Sequence, residues 1–423
     1  MRVKVTRPNS DSVIGFLIPL CIFIEVGSPI LLATSPLAQE SLAVPLSFLV
    51  MPIVLILGVI RLSKTTDASS HKAYLSGLPF VAYVIVLAST SAIFINPKAI
   101  VAGVQWLLPF LWMPYFLSLK SHDFERLARG FVSGVFFSAV YYFTAGTLEI
   151  LQYGVLQDFG RMSQNIILPG QYQVAVYVPT ALAYGALIST VFVKNGLVDR
   201  SKHYLLALNF FGLVAISFTA SREGMLVFLV GHLLVAAIQR RSRIAVSLIA
   251  ISLFATIIAL NLNQLMRAFS ESELRILNKI AALHAAEDQL AGRDDMIINV
   301  LQIIRSNTLF GTHFLPPQTF SDRFTIIAPS AHNIYVDAFL WTGLIGGILF
   351  IFFSGVFLCQ AMHLIIKQIA TQSLNMAAGI AVLSVLFIML SNNINVPWRQ
   401  PLTAPIGTLM FTFCFRYKRI LRL

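Results

Sequence analysis

Residues 334–358 read IYVDAFLWTGLIGGILFIFFSGVFL, a run of 25 residues in which Asp337 is the only charged side chain. A helix of this length measures about 37 Å, whereas the hydrocarbon core of a bilayer is roughly 30 Å thick. The run therefore predicts a transmembrane helix, and similar apolar runs recur along the chain. With this one, the predicted spans are 12–34, 43–60, 74–95, 99–118, 131–149, 171–193, 204–220, 223–238, 244–262, 334–358, 375–391 and 402–415.

The composition agrees with a membrane protein. Of the 423 residues, 57% are hydrophobic and only 11% are charged, whereas about a quarter of the residues in a soluble domain are charged. No stretch between the predicted spans is long enough for a separate soluble domain. We therefore expect an all-α, polytopic membrane protein of about twelve transmembrane helices, in which residues 1–423 form a single transmembrane domain.

The positions of the basic residues predict the orientation. If the N-terminus lies inside, the inner connections hold 20 of the 30 Lys and Arg residues, and six of the remaining ten lie in one long outer loop. Short cytoplasmic loops carry such an excess of cations. We therefore predict an inner (cytoplasmic) membrane protein with both termini cytoplasmic. The net charge of +12 then faces anionic lipid, so a nucleic-acid partner is not expected.

The long outer loop, residues 263–333, is the one sizeable region predicted outside the membrane, on the periplasmic side. Ser270 and Glu273 form a capping-box pattern that begins a first short helix. A second helix is predicted from an apolar stripe that ends before Gly311. We expect both helices to lie along the membrane–water boundary. The stripe consists of Met296, Ile297, Val300, Leu301 and Ile304.

Three candidate functional residues fall on this outer side. Arg222 lies in the tight turn TASREG, His332 lies directly before the span that starts at residue 334, and Arg161 lies on the connection before residue 171. An arginine at a membrane interface is often only a contact to lipid headgroups, and an interfacial histidine is commonly solvated. Position alone therefore leaves both the structural and the functional interpretation open.

The order of short motifs resembles the bacterial O-antigen ligase and polymerase superfamily over roughly residues 155–350. The members of this superfamily are membrane glycosyltransferases, and the resemblance depends on the motifs together with the long outer loop between them. The motifs are Ser221-Arg222-x-Gly224, Gly292-Arg293, Leu309-Phe310-Gly311, His332-Asn333-Ile334-Tyr335 and Gly343-Leu344-Ile345-Gly346.

The resemblance implies a chemistry and a role for each residue. The donor would be a glycan on undecaprenyl pyrophosphate, and an acceptor hydroxyl would displace the pyrophosphate in one inverting step. Arg222 and Arg161 would bind the pyrophosphate, because a guanidinium matches phosphate oxygens in a bidentate geometry. His332 would accept the hydroxyl proton. Arg293 and Asn333 are further candidate substrate-binding residues, although Arg293 could instead stabilise the loop.

Neither a cofactor nor a metal ion is expected, because the leaving group is already activated. The favoured function is polymerisation of repeat units of O-antigen, capsule or exopolysaccharide. The close alternative is a ligase that transfers finished glycan to lipid A–core. An alternative of another class is a lipid-linked glycan flippase or a secondary transporter. The expected partners are the lipid-linked donor, a glycan or lipid A–core acceptor, the bilayer and other polysaccharide-assembly membrane proteins.

Two polar side chains and three cysteines fall within or beside the predicted spans. Glu25 and His232 are costly in lipid, so both should face protein or water. For both, structural pairing is favoured over proton coupling. The cysteines are too scattered for a disulfide framework or a metal site, and buried packing is predicted for Cys21, Cys359 and Cys414.

Overall fold

The computed structural model describes residues 9–26, 42–64, 97–153, 171–219, 221–239, 300–305, 309, 311, 333–371, 375–392, 397–400 and 402–421. Residues 300–305 are helical, and the other elements follow in chain order. They are α1 (Ser10–Leu17), β1 (Phe23–Val26), β2 (Leu42–Pro45), α2 (Leu46–Leu49), α3 (Met51–Ser63), α4 (Pro97–Ser118), α5 (Ser121–Tyr153), α6 (Gln171–Lys194), α7 (Lys202–Phe218), α8 (Arg222–Gln239), α9 (Ile334–Thr371), α10 (Asn375–Leu386), a π-helix (Phe387–Ser391), a 3-10 helix (Pro397–Arg399) and α11 (Thr403–Ile420).

The all-α class is confirmed, with one departure near the N-terminus. There β1 and β2 form a small antiparallel ribbon in which Phe23 pairs with Pro45. The prediction of one continuous helix over 12–34 is therefore wrong, because α1 ends at Leu17 and Pro19 follows. Proline has no backbone N–H to continue a helix. Hydropathy detects an apolar run but does not distinguish a helix from an extended segment.

Most other predicted spans agree with the observed helices to within a few residues, but 43–60 is not one helix, because it begins in β2 and continues as α2 and α3. Helices α5 and α9 are longer than predicted, and their extra turns contain charged and polar side chains that lower the local hydropathy. Spans 74–95 and 244–262 lie outside the described residues. Among the described helices, Ser121–Leu148 and Ile334–Thr371 are long and apolar enough to cross a bilayer, so the number of twelve crossings stays a prediction.

Large apolar side chains remain exposed along the outer faces of several helices, which fits a surface in contact with lipid tails. On α3, Ile53, Ile56 and Ile60 project outward, and on α9 the same is true of Phe352 and Ile366. An apolar surface of this extent marks contact with a membrane or a partner. Cys359 is also exposed on α9. The prediction of burial is therefore wrong for Cys359. A free cysteine behaves as a small apolar side chain, so an apolar outer surface accommodates it.

Helices α6, α7 and α8 form a closely packed group in which α6 and α8 run parallel. A Cβ atom on Gly224 would lie 2.6 Å from the Cβ of Pro179, and one on Gly231 would lie 2.4 Å from Leu187. Small residues allow helix backbones in membranes to approach this closely. The group presents the N-termini of α6 and α8 at the same end of the bundle.

His232 lies within this group and is paired as predicted. Its Nδ1 lies 2.8 Å from the carbonyl oxygen of Phe228, and its Nε2 lies 3.0 Å from Oδ1 of Asn209. The predicted pairing of His232 is therefore confirmed. The side chain of Glu25 lies outside the described part of the chain, so its pairing stays a prediction.

Helix α9 contains a sharp irregularity at Gly343, where φ is 66° and ψ is −167°. Gly311, which also has a positive φ of 70°, packs against this point. A Cβ on Gly311 would lie 2.5 Å from the backbone nitrogen of Gly343. The end of the long loop therefore contacts the backbone of α9 directly, and only glycine at residue 311 allows this approach.

The helical segment 300–305 packs against the same part of α9. Val300 and Ile303 are buried against Leu340, whereas Leu301 is half exposed. The helix predicted from the stripe at 296–304 is thus confirmed over its described residues, and its buried face contacts α9. The first predicted loop helix, at Ser270, lies outside the described residues.

We expect Gly343→Ala to lower the melting temperature of the purified protein. The backbone conformation at Gly343 is almost restricted to glycine, so a side chain there costs about 1–3 kcal/mol. Gly355→Ala is the matched control, because Gly355 lies on the same helix with open space around its Cα and alanine favours a helix. A melting temperature equal to or higher than that of the control would contradict the expected strain.

Candidate functional site

Arg222 occupies the first position of α8. The hydroxyl of Ser221 accepts a hydrogen bond from the backbone N–H of Gly224 at 3.2 Å, which is a side-chain cap of the helix N-terminus. The motif Ser-Arg-x-Gly therefore has a local structural basis, since serine begins the helix and Gly224 allows close packing on α6. The cap fixes the backbone of Arg222 at the positive end of the helix dipole. The side chain of Arg222 lies outside the described residues.

Glu223, the next residue, is a buried acid in the first turn of α8. A negative side chain is favourable at a helix N-terminus. The motif TASREG therefore places this acid where it interacts favourably with the positive end of the α8 dipole.

Asn333 caps α9 in the same way that Ser221 caps α8. Its Oδ1 accepts hydrogen bonds from the backbone N–H groups of Tyr335 and Val336 at 3.0 and 3.3 Å. Asn333 was predicted to bind substrate, and the structure gives its side-chain oxygen a capping role. His332 directly precedes this cap in the chain.

The start of α9 is attached to the π-helix at Phe387–Ser391. The hydroxyl of Tyr335 donates to the carbonyl oxygen of Ile388 at 3.0 Å and accepts from Nδ2 of Asn392 at 3.1 Å. A π-helical turn leaves backbone carbonyls displaced from the regular helical ladder, and such turns are frequent at functional sites. Here the displaced turn supplies an acceptor for Tyr335.

The same π-helix contacts α6 and α8. The hydroxyls of Tyr184 and Ser391 lie 2.9 Å apart, and both residues are buried. We call Tyr184, Tyr335, Ser391 and Asn392 the polar junction. Through it, the start of α9 at Asn333 is joined to α6, and α6 in turn packs against the start of α8 at Gly224.

The structure thus positions two of the five predicted site residues, namely the backbone of Arg222 and the whole of Asn333. Arg161, Arg293 and His332 lie outside the described residues, and their roles stay predictions. Sequence reasoning missed Glu223 and Tyr335, although both stand within the quoted motifs. No sequence motif marks Ser391 and Asn392 as site residues, because they stand at the end of an apolar run. Only tertiary packing brings them to the site.

The helical bundle and its exposed apolar faces define the class as an all-helical membrane protein. Residues 207–351 match the family model described as O-antigen ligase. The match confirms the resemblance to the O-antigen ligase and polymerase superfamily, and the family indicates a membrane glycosyltransferase of that type. The matched region begins in α7 and ends in α9. No curated protein matches the chain.

We expect Tyr335→Phe to lower both the melting temperature and the rate of glycan transfer per folded molecule. The change leaves Nδ2 of Asn392 and the carbonyl oxygen of Ile388 without their partner, which costs about 1–3 kcal/mol. It also removes the hydrogen bonds that attach the start of α9 to the π-helix and Asn392. The matched control is Tyr204→Phe, whose hydroxyl donates to the carbonyl oxygen of Val132 at 3.2 Å, away from the junction. Equal losses in the two variants would show that the junction has no special role.

Proposed function

We propose that this protein transfers glycan from an undecaprenyl-pyrophosphate-linked donor to an acceptor hydroxyl at the periplasmic face. In this proposal it polymerises repeat units of O-antigen, capsule or exopolysaccharide. The observation that carries the proposal is the O-antigen ligase match over 207–351. This region includes both capped helix starts, at Arg222 and Asn333, and the second of them is held by the polar junction.

The proposed site would stabilise the negative charge that develops on the leaving pyrophosphate. The N-termini of α8 and α9 supply partial positive charge, and helix N-termini bind phosphate groups readily. Arg222 and Arg161 would add full charges with donors in a planar fork. Preorganised donors of this kind contribute most to catalysis when they are held rigidly. The caps at Ser221 and Asn333 and the junction support such rigidity.

In the proposed step, the acceptor oxygen bonds to the anomeric carbon while the bond from that carbon to the pyrophosphate oxygen breaks. The hydroxyl proton passes to His332, and undecaprenyl pyrophosphate leaves with both electrons of the broken bond. A single displacement inverts the anomeric centre. No metal is required in this scheme, because the arginines stabilise the charge of the leaving group.

A deletion strain distinguishes the polymerase from the ligase. Loss of a polymerase should leave single repeat units on lipid A–core. Loss of a ligase should leave long lipid-linked chains that are not attached to lipid A–core. The first pattern is expected, and the second would replace the polymerase proposal with the ligase alternative.

Purified protein in liposomes distinguishes an enzyme from a transporter. The proposal predicts that lipid-linked oligosaccharide and acceptor yield undecaprenyl pyrophosphate and a longer glycan. If the lipid-linked glycan instead changes leaflet without chemical change, the protein is a flippase. Transporters concentrate polar groups near the middle of the membrane, whereas the candidate site lies at helix ends.

A further inference from the structure

A cavity of about 750 Å³ lies at the end of α6 and α8 opposite Arg222. It reaches the C-terminal half of α8, about 15–20 Å from the start of that helix at 1.5 Å per residue. The cavity is therefore separate from the candidate glycan site. Its lining consists of Thr190, Val193, Lys194, Asn195, Arg200, Lys202, Leu205, Leu206, Asn209, His232, Ala236 and Asn375.

Three cations line this cavity, and they lie in or directly beside the turn between α6 and α7, since one ends α6, one lies in the turn and one begins α7. They are Lys194, Arg200 and Lys202, and the described lining contains no acidic side chain. Arg200 is held in place, since its Nη2 donates to Oγ of Ser133 at 3.2 Å and its guanidinium lies 5.2 Å from the ring centroid of Tyr204. The cavity therefore attracts anions.

The inner part of the cavity is polar and internally paired. Nδ2 of Asn209 donates to Oγ1 of Thr190 at 3.3 Å, and Oδ1 of Asn209 lies 3.0 Å from His232. These side chains bond to one another, so they form a fixed wall. The cations at the turn supply the positive charge that a ligand would meet.

The remaining wall is apolar and reaches the outer surface of the bundle. Leu205 and Ala236 line it, as does Leu206, which is 70% exposed on α7. Because Leu206 faces outward with Phe210, the cavity opens on the surface that contacts lipid. A ligand that fits this arrangement carries an anionic head and an apolar tail.

We propose that this cavity binds an anionic glycerophospholipid, with its phosphate between Lys194, Arg200 and Lys202 and its acyl chain along Leu205 and Leu206. Lysine and arginine near a membrane surface attract anionic lipids. A lipid headgroup and free phosphate would both bind these cations through a phosphate group. The cavity opens on the surface that contacts lipid, and this favours a lipid over free phosphate. The proposal does not depend on the glycan-transfer function.

Native mass spectrometry of the full-length protein in detergent, titrated with phosphatidylglycerol, tests the proposal. Wild-type protein should retain one phosphatidylglycerol more tightly than phosphatidylcholine. The variant K194Q/R200Q/K202Q should bind it about a hundredfold more weakly, since each cation near the surface contributes about fivefold. The variant Ala236→Phe, which fills the cavity without changing charge, should also lose the bound lipid.

The matched control is K120Q/R126Q/R129Q, which removes one cation directly before α5 and two from its first turns. These residues do not line the cavity, so the control should bind phosphatidylglycerol as the wild type does. Equal loss in the control would overturn the proposal in favour of general charge attraction. Unchanged binding in Ala236→Phe would overturn it as well. Displacement of the lipid by inorganic phosphate at equal concentration would assign the site to a soluble anion instead.

Discussion

Replacing Arg222 with lysine should lower glycan transfer by about a hundredfold or more, while the amount of folded protein in the membrane stays unchanged. Removal of one preorganised donor to a developing negative charge typically costs about 10²–10³ in rate. Lysine keeps the charge but presents it as a point on a flexible stem, so it does not reproduce the bidentate fork. The measurement is release of undecaprenyl pyrophosphate by purified protein in liposomes.

Arg129→Lys is the matched control for this variant. Arg129 is exposed near the start of α5 and pairs with Glu125 four residues earlier, far along the chain from the candidate site. It should transfer glycan at the wild-type rate. Because Ser221 caps α8 through its own hydroxyl, Arg222→Lys leaves the helix start intact. Near-normal turnover of Arg222→Lys would remove Arg222 from the site.

The apolar spans could be predicted from the sequence because burial in lipid requires long apolar helices. The predicted span 171–193 matches α6, Gln171–Lys194, to within one residue. The prediction failed at 12–34, where the chain contains α1 and then β1. There the apolar character is the same in a helix and in a strand, and the helix stop at Pro19 depends on local backbone chemistry that hydropathy ignores.

Part of the candidate site was also accessible from the sequence. Hydropathy and charge bias placed Arg222 and His332 on one predicted side, and the polar junction joins the start of α9 to α6, which packs against the start of α8. The sequence could not show which distant residues bond to the side chains of the polar junction on α6 and α9. Ser391 and Asn392 are separated from Tyr184 and Tyr335 by long stretches of chain, and only the packing of α10 against α6 and α9 brings them together.

His332→Ala should abolish transfer while leaving donor binding intact. A general base contributes about 10²–10⁴ in rate, and its loss does not remove the arginines expected to bind the pyrophosphate. His332 directly precedes Asn333, whose side chain caps α9, so the change to alanine leaves that cap and the bonds of Tyr335 in place. Donor binding is measured by retention of labelled lipid-linked oligosaccharide, and transfer by growth of the glycan.

The matched control is His363→Ala, because His363 is an exposed histidine near the other end of the same helix. It should leave both binding and transfer unchanged. Added imidazole should restore part of the transfer in His332→Ala, since a free base can occupy the space of the missing ring and accept the acceptor's proton. Loss of donor binding together with transfer would instead make His332 a binding residue. Retained transfer would refute its role as the base.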